Sequence, residues 1–465
     1  MPRSTLTPTI LARAATCPHS WYLETHVDAE LQVEPDAGME LLFEAGREHE
    51  RQMVASLDNP VQPDWDRRDF EAGQRATLAL MEQGVEWIYQ APLCRDDVRG
   101  VPDLLKRVDG KSALGGHSYV PVDIKGHQAV NKKDRLQLHA YAWMLEAALG
   151  NRPGTGGIWL NTGQIDYVDL SGRLDEFGKL YQGLHAIRAG KAETVPVRCG
   201  ECGMCPWSQC CAEEWQRTRS VTLLAGGTGR TAHTLIQAGY TTWPDVAATR
   251  PDVLAAATGF KLDKATRLQQ AAEAWRSGVP ELLQPVTFPA GVPIHYYDIE
   301  TYGDTVYLHG VIRVFGDERE ARQFAARTPA DEASIWHQFL DFLAQDNEAL
   351  VYCWSNYEVG YVNRLWDDYG GNAAGFKHLQ VMQDQCDFVK QHFALPASSY
   401  SIKAVAPVFG FHWDADDAGG LNSAAWYGEW LASGDAALFD KILRYNLDDV
   451  VAMEVIDQAL RARFG

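Results

Sequence analysis

The 465 residues are enough for about three domains, and 46% hydrophobic with 22% charged residues is the balance of a folded chain, which excludes a disordered or fibrous protein. No apolar run approaches the roughly 20 residues that a bilayer-crossing helix needs. The opening Met1-Pro-Arg-Ser-Thr-Leu6 lacks the apolar stretch of a signal peptide, so a cytoplasmic location is expected.

The net charge of −20 excludes simple electrostatic coating of DNA. Its distribution is uneven, with 26 acidic against 12 basic residues in 286–465 and near balance in 221–285. Clustered carboxylates at that end are candidates to hold divalent metal.

The first third reads as mixed α and β. Helical apolar spacing predicts a helix over Met39–Leu57. Extended stretches follow at Val85–Leu93, Val101–Val108 and Ser118–Ile124, then a helix over Asp134–Leu149 with a broad apolar face. A strand pair and a helix over Asp175–Ala189 lead into a run of cysteines. Residues 221–280 change to short Ala- and Leu-rich helical segments broken by glycine, and a Pro-rich linker over 284–293 separates the last part. Strands are expected at Ile294–Ile299 and Thr305–Phe315, and a long helix from about Asp435 to Arg463. The pattern is α/β with mixed sheets, in three domains: 1–220, 221–285 and 286–465.

Within the first domain, Gly100-Val-Pro-Asp103 places an acid in a hydrophobic strand. Val120-Pro-Val-Asp123-Ile-Lys125 puts an acid and a lysine two apart on a strand, hence on one face. Two carboxylates converging across neighbouring strands suit Mg²⁺ or Mn²⁺, with the lysine stabilising charge on a phosphate. Gln137 and Tyr141 share a helix face, and His49 lies on a helix upstream. Each element alone is common on protein surfaces. In this order, His49, Asp103, Asp123-x-Lys125, then Gln137-x-x-x-Tyr141, they resemble the RecB-like branch of the PD-(D/E)XK nucleases. The resemblance implies a restriction-endonuclease-like fold, metal ligation by His49, Asp103 and Asp123, a catalytic Lys125, and support from Gln137 and Tyr141. Lys125, Lys132, Lys133 and Arg135 supply local phosphate contacts in that reading.

Five of nine cysteines fall between Cys199 and Cys211, an odd and dense set that argues against a disulfide framework and for a metal site. Cys202-Gly-Met-Cys205-Pro-Trp207-Ser-Gln-Cys210-Cys211, with Cys17 far upstream, is similar to the iron–sulfur type of these nucleases. That likeness implies a [4Fe–4S] cluster on Cys17, Cys202, Cys205 and Cys211. A local zinc site from Cys199, Cys202, Cys205 and either Cys210 or Cys211 is the alternative.

In the last domain, Asp298-Ile-Glu300 lies on one strand with both acids on one face. Glu358 begins a helix after a strand, and Tyr445 and Asp449 stand one turn apart on the final helix. Four carboxylates of this kind can hold two metal ions. The set resembles the tyrosine-containing DEDD exonucleases of ribonuclease-H-like fold, nearest the YprB-like group, to which Tyr400-Ser-Ile-Lys403 is also similar. Asp298, Glu300, Glu358 and Asp449 are then metal ligands and Tyr445 catalytic, with Asp448 and Asp387 structural or auxiliary. Glu358 departs from that family, which carries Asp there.

Between the domains, Leu235-Ile-Gln-Ala-Gly239 through Ala247 resembles a helix-hairpin-helix that offers backbone N–H groups to phosphate, a small linking bundle being the alternative. The combined expectation is a DNA nuclease for single strands or ends, in repair or processing, with RNA a second substrate class at the C-terminal site and a helicase or repair protein as partner. The competing classes are a non-catalytic nucleic-acid scaffold and an RNA-directed 3′–5′ exonuclease using the C-terminal site alone. No membrane association is expected.

Overall fold

The computed structural model describes residues 5–172, 174–227, 229–414 and 419–465. Residues 1–4 of the opening segment read above lie outside them. The chain forms two compact units: one from residues up to Glu34 together with Leu42–Ala212, the other from Pro35–Leu41 and Glu213–Gly465. The helical segment after residue 220 therefore belongs to the same unit as the C-terminal part. Among the described residues, no helix is long and apolar enough to cross a membrane.

The first unit is built on a five-stranded sheet. Its strands are β1 (Trp87–Tyr89), β4 (Leu104–Ser112), β5 (Gly115–Lys125), β6 (Thr155–Leu160) and β7 (Ile165–Asp169), in that spatial order, while β2 (Leu93–Arg95) and β3 (Val98–Gly100) form a separate hairpin. β4 and β5 pair antiparallel, with Leu104 opposite Val122, whereas β5 and β6 pair parallel. A parallel pair needs a crossover, and helix Lys132–Leu149 provides it. An Asn131/Asp134 capping box starts that helix, and Gly150, left-handed at φ +73°, ends it. Its buried face, including Ala140, Met144 and Leu145, packs with Leu105, Tyr119 and Trp21 into one core cluster.

Two expected strands end differently. Val85–Leu93 is interrupted after Tyr89, where Gln90 takes a positive φ of 47° and Pro92 removes an amide donor. Pro102 likewise holds Asp103 out of β4, which begins at Leu104. Asp103 thus sits just ahead of the strand instead of within it, and its carbonyl accepts from Gln90 N at 2.8 Å.

The second unit carries a sheet ordered β11 (Glu318–Ala325), β10 (Thr305–Phe315), β9 (Ile294–Tyr302), β12 (Leu350–Cys353), β13 (Gln383–Asp384). β9, β10 and β11 form an antiparallel meander, while β12 pairs parallel with β9 and with β13. Side chains alternate across β9. Tyr297 and Ile299 join Trp336, Phe339 and Leu340 in one cluster, and Tyr296 faces Val450 and Met453 of helix Ala436–Phe464 in another. A short pair, β8 (Glu281–Leu282) with β14 (Phe393–Ala394), ties the helices Gly229–Gln237, Trp243–Ala247, Pro251–Thr258 and Leu262–Ser277 to the sheet-bearing part. Gly239, at φ +91°, turns the chain between the first two of these helices.

Candidate active sites

In the second unit, period-two geometry places Asp298 and Glu300 on one face of β9. The helix Ala436–Phe464 crosses the sheet and brings Asp449 to them. One donor oxygen from each of the three lies within 4.8 Å of the other two. Such a set of hard oxygen donors fits Mg²⁺ or Mn²⁺. Without a cation the cost of this crowding is visible. Burial first, then Asp449 and Glu300, push the Asp298 pKa well above the carboxylate range, and burial followed by Asp449 does the same to Glu300.

Several groups that the sequence did not mark fix these acids. Asn446 donates through Nδ2 to Asp298 Oδ2 at 2.8 Å and accepts at Oδ1 from Gln323 at 3.1 Å. Gly310, opposite Asp298 on β10, admits that carboxamide: a Cβ there would collide with Asn446 Oδ1. Trp413 Nε1 at 2.6 Å and Lys403 Nζ at 3.1 Å both donate to Asp449 Oδ1. From sequence, Lys403 is marked only as part of a similar segment. Its ammonium also stacks over Trp413 and Tyr445, at 3.7 and 4.4 Å from their ring centroids. Tyr445 is buried, and desolvation followed by Asp449, Glu300 and Asp298 raises its pKa, so it is a neutral phenol.

Glu358 is the second residue of helix Tyr357–Tyr369 and is buried. It stands outside the three-carboxylate group, but its charge acts on Asp298. Burial, then Asp384, raises its pKa to about 8, and its Oε2 has no hydrogen-bond partner. A buried carboxylate oxygen without a donor is consistent with a place for a cation. Asp384 caps helix Gln385–His392 and accepts from Ser355 N, a nearby acid that no motif indicated. Asp448 accepts from Asp414 N at 3.1 Å, and Asp387 pairs with Lys390 at 3.1 Å.

In the first unit the β4–β5 hairpin brings Asp103 and Asp123 together. Lys125 Nζ lies 2.9 Å from Asp123 Oδ2, and Asp103 Oδ2 accepts from Ile124 N at 2.7 Å. Burial, then Asp123, raises the Asp103 pKa well above normal. Burial opposes the Lys125 charge, yet Asp123 and Asp103 together outweigh it and its pKa rises, so the ammonium is retained. Tyr141 is buried on the crossover helix and donates to Val101 O at 3.3 Å. Burial and then the two acids raise its pKa, and Gly100 leaves room for its ring.

Gln137 lies two turns into the crossover helix, where Nε2 reaches Thr9 Oγ1 at 3.4 Å. His49 sits on helix Ala37–Ala55 with a buried Nε2 that lacks a partner, consistent with a ligand position. Among the described residues, however, His49, Asp103 and Asp123 do not form a three-ligand group as tight as the C-terminal one. The side chain of that helix whose charge acts on Asp103 is Glu50, itself held by Gln90 at 3.0 Å. Lys133 pairs with Glu201 at 2.5 Å, while Lys132 and Arg135 line a separate cavity of about 430 Å³ with His139.

The cysteines gather from both ends of this unit. Cys199 and Cys202 approach to 3.9 Å between sulfurs, and Cys17 makes a side-chain hydrogen bond with Cys199. Hydrogen bonding among these three thiols lowers the pKa of Cys199 and raises those of Cys17 and Cys202. Cys211 and Cys205 are near enough to interact electrostatically with Cys202 and Cys199 respectively, whereas Cys210 turns to Leu31 O at 3.6 Å. The Cys17–Cys199 contact belongs to neither ligand set expected from sequence. Among the described residues no three of these thiols come within 4.8 Å of one another, and what points to iron–sulfur or zinc is the soft donor type alone.

Residues 5–212 match the family model described as the PD-(D/E)XK nuclease superfamily, and residues 295–461 match that of the RNase_H superfamily. No curated protein matches the chain. The two matches fall on the two sheets and their acids, so the chain pairs an N-terminal PD-(D/E)XK-superfamily domain with a C-terminal RNase_H-superfamily domain.

Proposed function

We propose that the protein is a metal-dependent nuclease that hydrolyses phosphodiester bonds of DNA, as single strands or at ends, in repair or processing, with an active site in each unit. The observation that carries this reading is the meeting of Asp298, Glu300 and Asp449 within 4.8 Å in the RNase_H-superfamily segment. Mg²⁺ or Mn²⁺, when bound, supplies water activation and neutralises charge developing on the phosphate.

The side chains prepare that chemistry. Asp298, Glu300 and Asp449, with Glu358 beside them, offer the oxygen donors. Lys403 and Trp413 engage one oxygen of Asp449, and Asn446 engages one oxygen of Asp298. The neutral phenol of Tyr445 orients water by hydrogen bonding. At the N-terminal site, Asp103 and Asp123 serve as ligands with His49, Lys125 faces the phosphate, and Gln137 and Tyr141 support the arrangement. Cys17, Cys202, Cys205 and Cys211 hold a [4Fe–4S] cluster with Cys199 at its edge, zinc being the other occupant this donor set accepts. The Gly239 hairpin contacts the DNA backbone, and a helicase or repair protein is the expected partner.

A second reading, a 3′–5′ exonuclease on RNA using the C-terminal site alone, is favoured by one fact. Among the described residues, only the C-terminal acids form a three-ligand group. Labelled single-stranded DNA and RNA, incubated with Mn²⁺ and the wild type, Asp123→Ala or Asp298→Ala, separate the readings. Two sites predict partial loss in each variant. Full activity in Asp123→Ala with none in Asp298→Ala selects the second reading. A wild type that binds both substrates and cuts neither makes the protein a non-catalytic scaffold.

A further inference from the structure

A cavity of about 580 Å³ opens in the second unit, away from the three carboxylates, where helix Leu262–Ser277 meets the β8–β14 pair and the segment that ends at Tyr400. We infer that it receives a nucleotide of a single-stranded nucleic acid, with the phosphate on its cationic rim and the base against its apolar wall. The volume is that of an ordinary small-molecule pocket.

The rim is cationic in a chain of net charge −20. Lys264 and Arg267 stand three residues apart on helix Leu262–Ser277, Lys261 precedes its first turn, and Lys390 comes from helix Gln385–His392, against the single acid Asp263. Little of that charge is neutralised. Lys261 has no ion-pair partner among the described residues. Lys264 donates to the Thr231 hydroxyl at 2.8 Å and lies 4.1 Å from the Phe260 ring centroid, and Arg267 donates to the Lys390 carbonyl at 3.2 Å. Only Lys390 meets a carboxylate, the exposed Asp387, in a pair of little energetic weight. Converging cations of which only one has a counter-ion favour a polyanion. The wall is apolar, with Leu268, Ala271 and Ala394 buried behind it and the Tyr400 ring beside them. Cations around a surface that accepts a base are the elements of single-strand binding.

The cavity is joined to the acidic site by the chain itself. Tyr400 receives a hydrogen bond at its carbonyl from Trp354 Nε1 at 3.0 Å, directly after β12, and three residues later Lys403 pairs with Asp449. Three residues of chain therefore separate Tyr400 of the cavity lining from Lys403, which holds the proposed metal ligand Asp449. The identity of the polyanion rests on the nuclease reading, whereas the presence of an anion site does not.

The test is binding of a fluorescein-labelled oligothymidylate to the full chain in EDTA, followed by anisotropy over a salt series. Lys261→Glu and Lys264→Gln each are expected to weaken binding several-fold and to flatten the slope of log K against log salt by about 0.7 for each phosphate that is no longer neutralised. Thermal midpoints stay unchanged. Wild-type affinity and slope in both variants overturn the inference, as does displacement of the oligonucleotide from wild type by inorganic phosphate at equal phosphate concentration. The two proposals fail separately. Hydrolysis with Mn²⁺ by variants that bind as wild type removes this inference and leaves the nuclease, whereas weakened binding in a chain that never cuts removes the nuclease and leaves this site.

Discussion

Lys403 sets its ammonium 3.1 Å from Asp449 Oδ1, the same oxygen that Trp413 engages at 2.6 Å. A cation inside a carboxylate cluster has two consequences. It offsets the repulsion among Asp298, Glu300 and Asp449, and with Trp413 it fixes the orientation of the Asp449 carboxylate. Burial opposes its charge and lowers its pKa, but the position is held by two aromatic faces as well as by the acid.

Lys403→Met is therefore expected to keep the fold and lower C-terminal turnover about 10- to 100-fold, the usual cost of losing a partner behind a ligand. The measurement uses an Asp123→Ala background, so that only the C-terminal site reports, together with Mn²⁺ titration. Unchanged turnover and Mn²⁺ affinity would show that Asp449 needs no such support.

The acidic cluster makes stability depend on pH and on metal. Asp298, Glu300 and Glu358 have pKa values raised by folding, Glu358 to about 8 from an ordinary 4.5. Between those limits the native state holds protons that the unfolded chain has released, so stability is greatest below the lower limit and falls as pH rises through the window. In EDTA, the melting temperature is expected to decline between about pH 5 and pH 8, where these carboxyls ionise. Mn²⁺ replaces the lost protons, so its stabilising shift grows over the same range. Equal Mn²⁺ shifts at both ends of the window would contradict the assignment.

Much of this was legible in the sequence because the relevant spacings are local. Asp298-x-Glu300 on a strand, Tyr445 and Asp449 one helical turn apart, and Asp123-x-Lys125 follow from periods of 2 and 3.6 alone. The β10 limits at Thr305 and Phe315 were equally plain. What was not legible depends on contacts distant in sequence. Asn446 reaches Asp298 across 148 positions and Trp413 reaches Asp449 across 36, and neither carries a motif. Whether His49 or its neighbour Glu50 is the one turned toward Asp103 was not legible either. Neighbours on a helix point about 100° apart, and the mostly exposed, charge-rich helix Ala37–Ala55 has no apolar stripe sharp enough to choose between them. Pro102 was visible, but its effect of pushing Asp103 out of β4 required the strand register.

At the N-terminal site, Lys125 is the counter-ion of two crowded carboxylates, 2.9 Å from Asp123. Removing one partner of such a pair leaves uncompensated charge. Lys125→Met is expected to cost about 3 kcal/mol, measured by urea unfolding, and Asp123→Asn in the same chain should recover much of it. A single substitution that costs nothing would mean that solvent already screens the pair.

The cysteines give a prediction independent of catalysis. Anaerobically purified protein is expected to show broad visible absorption and iron near cluster stoichiometry, which Cys17→Ser and Cys199→Ser each diminish because their sulfurs meet. Colourless protein with stoichiometric zinc would assign the site to zinc. Cys210→Ser should change neither signal, since that thiol turns to Leu31 O.

Gly310 and Asn446 tie the backbone of β10 to the acid on β9. Glycine is required there for space, because a side chain would collide with the Asn446 carboxamide that donates to Asp298 at 2.8 Å. Gly310→Ala must therefore displace Asn446 or the strand. Asn446→Ala removes the donor while leaving β10 undisturbed, and in EDTA costs about 0.5–1.5 kcal/mol, the usual worth of a hydrogen bond to a neutral group. Because Asp298 is protonated more readily without that donor, Asn446→Ala should also shift the rise of C-terminal activity to higher pH. Both variants are expected to lower C-terminal turnover, Gly310→Ala at least as much as Asn446→Ala. The double variant should be no worse than Gly310→Ala alone, since the methyl group fits the space left by the missing carboxamide. Additive losses, read from turnover in the Asp123→Ala background, would show that the two positions act separately.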